Sequence, residues 1–137
     1  MGRIIRFGVS AEAELLDRFD RLIKKKKYKN RSEAIRDLMR EKLVQKQWEE
    51  DEDIAGTITI IYEHHKRGLL NELTSIQHGY AELIISTQHI HLNEDKCIEV
   101  LIVRGKASEV KNLFHQLNSL KGVKHGDLTM TTIGKEI

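Results

Sequence analysis

The hydrophobic positions of residues 3–43 change their period once. Residues 3–10 alternate apolar and polar side chains, which predicts a half-buried strand. Apolar residues at helical spacing follow over residues 15–23 and again over 34–43, which predicts two amphipathic helices. Asn30 precedes the second helix, and Glu33 comes three residues later, as in a capping box. This part of the chain is therefore predicted to be β-α-α.

From Gly56 onwards, the pattern predicts strands and helices in turn. The predicted elements are a β-branched strand over 57–62, a helix over 69–76, strands over 83–92 and 97–103, a helix over 110–117 and a strand over 127–133. The polar turn at 93–96 makes the two middle strands a hairpin. The order β-α-β-β-α-β is the ferredoxin-like arrangement, so the predicted fold class is α+β.

The β-α-α part is too small to bury a sufficient core by itself. A single strand also leaves its backbone groups unpaired, which favours pairing with a second copy. We therefore expect a dimer whose two strands form an antiparallel ribbon, with Arg6, Gly8 and Ser10 on its outer face. Such a ribbon fits the major groove of DNA, where polar side chains can reach base edges.

Charge is divided unevenly along the chain. Residues 1–48 hold 14 basic and 7 acidic residues, a balance of +7, whereas the remaining residues hold 9 basic and 14 acidic, a balance of −5. A basic head on an acidic body suggests that the head binds nucleic acid. The acidic run at 47–53 marks the boundary, so we predict a head at 1–48, an acidic linker at 49–54 and a body at 55–137.

Several classes of protein are disfavoured by what the sequence lacks. The chain has one cysteine, which fits a reducing compartment and rules out an internal disulfide framework. We find no signal peptide and no apolar run near the ~20 residues of a membrane helix. No phosphate loop, nucleophile elbow or HExxH motif is present. We therefore predict a cytoplasmic protein with no membrane association, no organic cofactor and no enzymatic activity.

The hairpin gathers residues that suit a metal ion. His89 and His91 project from one face of a strand, because side chains alternate, and the turn brings Cys97 beside them. Two imidazoles and a thiolate form a soft nitrogen and sulfur site, for which His78 is a candidate fourth ligand. Gln77 and Glu99 are candidates for orienting the ligands. A structural zinc site, or a hairpin with incidental histidines and a buried cysteine, is the alternative.

Both faces of this hairpin are substantially apolar. A sheet with one solvated face would instead alternate with polar residues. We expect one face to pack on the two helices and the other to pack on another subunit. On this interpretation, His89, His91 and Cys97 lie at the subunit interface.

Residues 3–47 resemble a ribbon-helix-helix DNA-binding domain. The segment Asn-Arg-Ser-Glu-Ala-Ile-Arg at 30–36 is similar to that family's turn and second-helix start. The resemblance implies that the helix start, with Asn30 and Arg31, anchors a DNA phosphate, which helix N-termini favour. Gly8 departs from the family pattern, which usually has a polar residue there, so Arg6 and Ser10 are the expected base contacts.

The whole chain resembles the nickel-responsive transcriptional regulators. The motifs that carry this resemblance are Gln77-His78, His89-Ile90-His91, the segment 93–99 and the segment 122–126. The resemblance implies an ACT-type body and a homotetramer that is a dimer of dimers. It also implies one Ni(II) per subunit, bound by His89, His91 and Cys97 of one subunit and His78 of a neighbour. The implied function is repression of nickel-uptake genes on operator DNA when nickel binds.

Three further pairs take a role from the same resemblance. His64 and His65 would form a lower-affinity metal site, and Lys66 and Arg67 would touch the DNA backbone. Glu33 and Asp37, one helical turn apart, would form a second cation site. As residues alone, each of these pairs is also ordinary for a solvated surface.

Other functions remain open at this point. The same ligands could serve a ribbon-helix-helix repressor that senses copper, cobalt or zinc, because copper ranks above nickel for such donors. An antitoxin would carry a tail that is disordered until it binds a toxin, unlike this patterned body. A metalloenzyme would need an open coordination position and an acid or base partner.

Overall fold

The computed structural model describes residues 2–137, which divide after Arg40 into two compact units, 2–40 and 41–137. The first unit holds helix α1 (Ala13–Lys25) and the start of helix α2 (Arg31–Glu49). Both predicted helices are confirmed. Asn30 Oδ1 accepts a hydrogen bond from Glu33 N at 2.9 Å, and the Glu33 carboxylate accepts one from Lys29 N at 3.3 Å. These two bonds satisfy free amides at the start of α2.

The predicted strand at 3–10 does not form in the single chain, where residues 2–12 lie outside helices and strands. Its apolar side chains are open to solvent, with Ile4 87% and Val9 67% exposed. A strand needs hydrogen-bond partners on a neighbouring strand, and among the described residues of one chain this segment has none. The pairing with a second copy remains a prediction.

The second unit confirms the predicted β-α-β-β-α-β order. Its elements are β1 (Asp53–Glu63), α3 (Leu69–Gly79), β2 (Ile84–His91), β3 (Lys96–Lys106), α4 (Ala107–Asn118) and β4 (Val123–Met130). The four strands form one sheet in the order β2-β3-β1-β4, and each neighbouring pair is antiparallel. The last strand begins at Val123, four residues before the predicted start, because the chain turns at Gly122, where φ is +99°.

The hydrophobic core lies on one face of this sheet. Alternate residues of β1 and β3 pack there with α3 and α4. The fully buried members include Ile58, Ile60, Tyr62, Cys97, Leu101, Val103, Leu113 and Leu117. Burial alternates along β1 and β3 because strand side chains point to opposite faces.

Cys97 therefore lies on the core face of the sheet. The expectation that the cysteine side of the hairpin would face another subunit is wrong for Cys97, which is fully buried within its own chain. The other face carries Ile98, Val100 and Ile102, of which Ile102 is 46% exposed. Both faces are apolar in sequence, so periodicity alone did not distinguish the one that the helices cover.

The acidic stretch after α2 is held against the body. Asp51 Oδ1 accepts a hydrogen bond from Ser108 N at 2.7 Å, at the start of α4, and Glu52 O accepts one from Ala107 N at 3.1 Å. A carboxylate at a helix N-terminus satisfies free amides and suits the helix dipole. The proposed domain limits at 48 and 55 remain predictions. Within residues 2–137, no helix is both long and apolar enough to span a membrane.

Candidate metal centre

Three strand ends converge at one corner of the sheet. Pairing of β2 with β3 sets His91 opposite Cys97, and pairing of β1 with β3 sets Tyr62 opposite Cys97. The chain leaving β1 reaches His64, whose amide donates to Asp95 O at 2.7 Å. The β2–β3 turn is held by Asn93 Oδ1, which accepts hydrogen bonds from the amides of Asp95 and Lys96 at 2.8 and 2.9 Å. This short turn fixes the register.

His64, His91 and Cys97 form the metal-ligand cluster of the described residues. The Cys97 Sγ atom lies 3.3 Å from His91 Nδ1 and 3.5 Å from His64 Nδ1. One ligand atom from each residue lies within 4.8 Å of the others. Cys97 is buried, His64 is half-buried and His91 is exposed. The cluster is therefore anchored in the core and opens toward solvent.

This donor set fits a borderline transition metal such as nickel. Ligand atoms that share one ion at bond lengths of about 2.0–2.3 Å lie about 3–4.5 Å apart. The distances from the thiol to the two imidazoles fall within that range. A thiol and imidazoles are ligands that Ni(II), Cu(II) and Zn(II) accept, whereas Mg(II) and Ca(II) prefer oxygen.

His89 lies next to the cluster but outside it. Its ring centroid is 5.4 Å from that of His91, and its Nε2 atom lies 3.1 Å from the buried Tyr62 hydroxyl. His89 also lines a cavity of about 390 Å³ between α3 and β2, together with His78 and Gln77. His78 is exposed and does not belong to the cluster that the described residues form.

Gln77 and Glu99 meet beneath His89. The Gln77 amide donates to Glu99 Oε1 at 2.7 Å, and Glu99 is only 6% exposed. Glu99 pairs with His89 across β2 and β3. The two residues predicted to orient the ligands are thus in contact with each other beside the candidate site, and their effect on metal binding remains a prediction.

Burial, and after it the charge of neighbouring groups, favours the uncharged forms of three side chains at this corner. Burial, followed by the Glu99 carboxylate, raises the pKa of the Cys97 thiol. Burial, followed by His91 and the other two nearby histidines, lowers the pKa of His64. Burial, followed by Glu99 and Cys97, also raises the pKa of the Tyr62 hydroxyl. The metal-free corner therefore favours a neutral thiol and a neutral imidazole.

We expect the metal-free protein to lose stability at both ends of the pH range through this cluster. Because folding lowers the pKa of His64, the unfolded chain binds this proton more readily than the folded protein. The free energy of unfolding therefore decreases as the pH falls below the ordinary imidazole pKa of about 6.5. Because folding raises the pKa of Cys97, the thiol ionises more readily in the unfolded chain. The free energy of unfolding therefore also decreases as the pH rises above the ordinary thiol pKa of about 8.5. Urea unfolding of the apoprotein across this range measures both effects.

The matched variants separate the two limbs of this profile. His64→Ala should flatten the acid limb only, and Cys97→Ala should flatten the alkaline limb only. An acid limb of unchanged slope in His64→Ala would contradict the account for the histidine. An unchanged alkaline limb in Cys97→Ala would contradict it for the thiol.

The structure places the remaining predicted residues on exposed surfaces or in local contacts. Of the second histidine pair, His65 contacts Glu94 O through Nε2 at 2.9 Å, so only His64 joins the cluster. Lys66 and Arg67 are exposed beside it. Sequence reasoning gave His64 only a secondary role and did not identify the Tyr62 contact with His89. No spacing along the chain marks the contact of His64 with Cys97, because it depends on the pairing of β1 with β3.

The head residues divide into free and engaged side chains. Arg6 and Ser10 are exposed in the segment before α1. Arg31 makes a two-bond ion pair with Asp20 at 2.7 and 2.8 Å, which raises the pKa of Arg31 and lowers that of Asp20. In this conformation Arg31 links α1 to α2, and its predicted phosphate contact would require it to share or leave that pair.

The predicted second cation site consists of two residues that already have partners. The Glu33 carboxylate accepts a hydrogen bond from the Lys29 amide. Asp37 accepts a hydrogen bond from the Tyr28 hydroxyl at 2.7 Å and lies 3.9 Å from Arg40. The use of these two carboxylates as a cation site remains a prediction.

Comparison with known proteins matches both parts of the chain. Residues 55–131 match the family described as "NikR C terminal nickel binding domain", and residues 5–46 match "Ribbon-helix-helix protein, copG family". An uncharacterised protein from Thermotoga maritima has a similar fold, with a TM-score of 0.52 and 18% identity. That match covers 57% of this chain and 96% of the other.

Relatives match along almost the entire chain. A protein from Thermococcus onnurineus named "Putative nickel-responsive regulator" is 53% identical over 98% of this chain and 99% of its own length. A relative of the same name from Geobacter sulfurreducens is 54% identical over 100% of this chain and 99% of its own. The chain therefore belongs to the family of nickel-responsive transcription regulators, in which a ribbon-helix-helix domain is joined to a nickel-binding domain, and which is not a family of enzymes.

Proposed function

We propose that this chain is a nickel-dependent repressor that binds operator DNA and lowers transcription of nickel-uptake genes when nickel is plentiful. The observation that carries the proposal is the thiol and imidazole cluster at the corner of the body, in a chain whose residues 5–46 match a ribbon-helix-helix family. A metal site and a DNA-binding head in one chain favour a sensor. A protein that binds DNA acts where DNA is, so we place it in the cytoplasm.

We propose that nickel takes His89, His91 and Cys97 from one subunit and His78 from a neighbour, with one ion per subunit. His91 and Cys97 already lie in contact, and His89 lies on the same face of β2. Bound nickel would supply a cationic centre that favours the thiolate over the thiol. Within one chain, His78 lines the same cavity as His89. In the proposed site, by contrast, the His78 ligand comes from the neighbouring subunit.

The proposed assembly is a dimer of dimers. The exposed apolar side chains of Ile5, Phe7 and Val9 favour pairing of two heads through their ribbons. The uncovered sheet face with Ile98, Val100 and Ile102 favours association of bodies. A tetramer would thus present two ribbons, which predicts an operator with two separated half-sites.

Arg6 and Ser10 would read base edges from each ribbon, since both are exposed in the single chain. The helix start at Asn30 and Arg31 would hold phosphate, and Lys66 and Arg67 would add backbone contacts from the body. Phosphate contacts supply affinity that falls with salt, whereas base contacts supply sequence choice. The Glu33 and Asp37 cation site and the lower-affinity metal role of His64 and His65 belong to the same proposal.

Nickel and DNA must influence each other reciprocally. If nickel raises the affinity for the operator by some factor, the operator raises the affinity for nickel by the same factor. The test is to select duplex DNA from a random pool with nickel-loaded protein, and then to measure binding of the selected duplex with nickel and with a chelator. Equal affinities in both conditions would contradict the proposed function.

Two histidines distinguish the proposed ligand set from the cluster seen in one chain. We expect His78→Ala to weaken nickel binding by at least ~10-fold and to change the nickel absorption spectrum, because it removes a ligand. His64→Ala should leave the spectrum of the fully loaded protein unchanged. Titration with nickel under an absorption spectrometer makes the comparison, with exposed His115→Ala as the control. The reverse pattern would assign the fourth position to His64.

A further inference from the structure

The last turn of α2 is held to the body by the end of the chain. Residues 131–135 follow β4 and lie against α2 through three side-chain hydrogen bonds. The partners are separated by 83 to 88 positions in sequence. All of these atoms belong to the unit at 41–137, whereas α2 begins in the other unit. This set of contacts, which we call the clasp, therefore acts on a helix that both units share.

Gln47 uses both ends of its amide in the clasp. Its Nε2 atom donates to Lys135 O at 3.0 Å, and its Oε1 atom accepts from the Thr132 hydroxyl at 2.8 Å. The same hydroxyl accepts a hydrogen bond from Gly134 N at 3.1 Å. Gly134 has φ +84°, a conformation that glycine adopts without strain. The turn at 132–135 thus shapes the segment to fit one side chain, and Gln47 is only 9% exposed.

Trp48 fixes the helix against the sheet. Its ring belongs to the core and is 3% exposed, while its Nε1 atom donates to Thr131 O at 2.8 Å. Gly56 of β1 leaves the space for this ring, because a Cβ at that position would lie 3.4 Å from the Trp48 ring and 3.0 Å from Thr129 O. The Thr131 amide in turn donates to Ala55 O at 3.1 Å, so the clasp is continuous with the sheet.

These contacts are specific in a way that simple burial is not. Three side-chain hydrogen bonds and the buried Trp48 ring hold the last turn of α2. A flexible connection would need no such contacts. The acidic residues that follow, Asp51 and Glu52, continue the attachment onto α4. The end of α2 and the residues after it are thus attached to β1, to α4 and to the segment that follows β4.

We propose that the clasp makes Gln47 and Trp48 positioning residues for the nickel response: it fixes the end of α2 to the sheet, so that a change in the body moves this helix. The proposal rests on the proposed function, because it assumes that nickel in the body changes DNA binding by the head. It assigns the C-terminal segment, which touches none of the candidate metal ligands, a part in coupling. Loosening the clasp should leave nickel binding intact and reduce its effect on DNA.

Two variants test the clasp. Gln47→Met removes both amide bonds at similar volume, and Thr132→Val removes the hydroxyl with little change in shape. Lys135→Ala is the matched control, because only its backbone oxygen takes part. Each is compared with the wild type by amide hydrogen exchange over residues 45–49, by the nickel absorption spectrum, and by affinity for the selected duplex with and without nickel.

We expect amide exchange at 45–49 to rise by about tenfold in both variants, since each loses two hydrogen bonds. The nickel spectrum should stay unchanged, and the ratio of DNA affinities with and without nickel should fall at least threefold. Lys135→Ala should match the wild type throughout. The emission of Trp48, the single tryptophan, should shift to the red in the two variants.

Three results would overturn the proposal. Unchanged exchange in both variants would show that the contacts do not hold α2. Faster exchange with an unchanged affinity ratio would show a structural role alone. A wild-type chain that binds DNA equally with and without nickel would overturn the proposed function, and the coupling with it. Thr132→Val is the milder change and decides the outcome if Gln47→Met does not fold.

Discussion

Cys97→Ala should lower the affinity for nickel by more than ~100-fold, the upper range for loss of a residue that merely orients a ligand. The physical reason is that Cys97 supplies the only sulfur in the described cluster and lies between two imidazoles at 3.3 and 3.5 Å. The near-ultraviolet absorption of sulfur-to-metal charge transfer should disappear with it. Nickel titration followed by absorption, with a competing chelator to set the free concentration, measures both effects.

The same variant should remove the nickel dependence of DNA binding. Cys97 is fully buried, so its replacement also leaves a small space in the core, and unfolding by urea is needed to show that the apoprotein remains folded. His115→Ala, which removes an exposed imidazole from α4, is the control for loss of a metal-binding side chain outside the cluster. Nickel binding of unchanged strength in Cys97→Ala would place the site elsewhere.

Arg6→Ala should weaken binding to the selected duplex by roughly 100-fold or more, because each ribbon carries the residue twice. One good contact to a base edge contributes about 1–3 kcal/mol of discrimination. Binding to unrelated DNA should change much less, since that binding comes from phosphate contacts. Measuring both affinities over a series of salt concentrations separates loss of sequence choice from loss of charge.

Arg18→Ala is the matched control for Arg6. Arg18 carries the same charge on α1, where it pairs with Glu14 at 2.8 Å, and it lies outside the predicted ribbon. Its removal should have a small, uniform effect on both duplexes. Equal losses for the selected and the unrelated duplex in Arg6→Ala would show that Arg6 contacts phosphate only.

The sequence predicted the order of the elements because their periods differ clearly. The change from helical to strand spacing is strong in the body, and the polar turn at 93–96 set the hairpin register that brings His91 to Cys97. Those two residues were identified from local rules alone. The ends of strands were less certain, as β4 shows, because a turn residue such as Gly122 has no apolar period to mark it.

Contacts between distant parts of the chain were less accessible. His64 joins Cys97 because β1 and β3 are neighbours in the sheet, a fact that depends on topology and not on spacing along the chain. The buried face of the hairpin was ambiguous because both faces are apolar. The bonds from Gln47 to the last residues span more than 80 positions, and no local pattern announces them.

One strand, β1, joins the clasp to the corner of the sheet that holds the candidate metal ligands. Gly56, near one end of β1, lies under Trp48, and Tyr62, near the other end, lies beside His89. Six residues of extended chain span about 20 Å and cannot lengthen or shorten appreciably. β1 is therefore a strand of fixed length that contacts Trp48 near one end and His89 near the other. Because the strand keeps its length, a displacement at one of these contacts would move β1 as a whole and not stretch it.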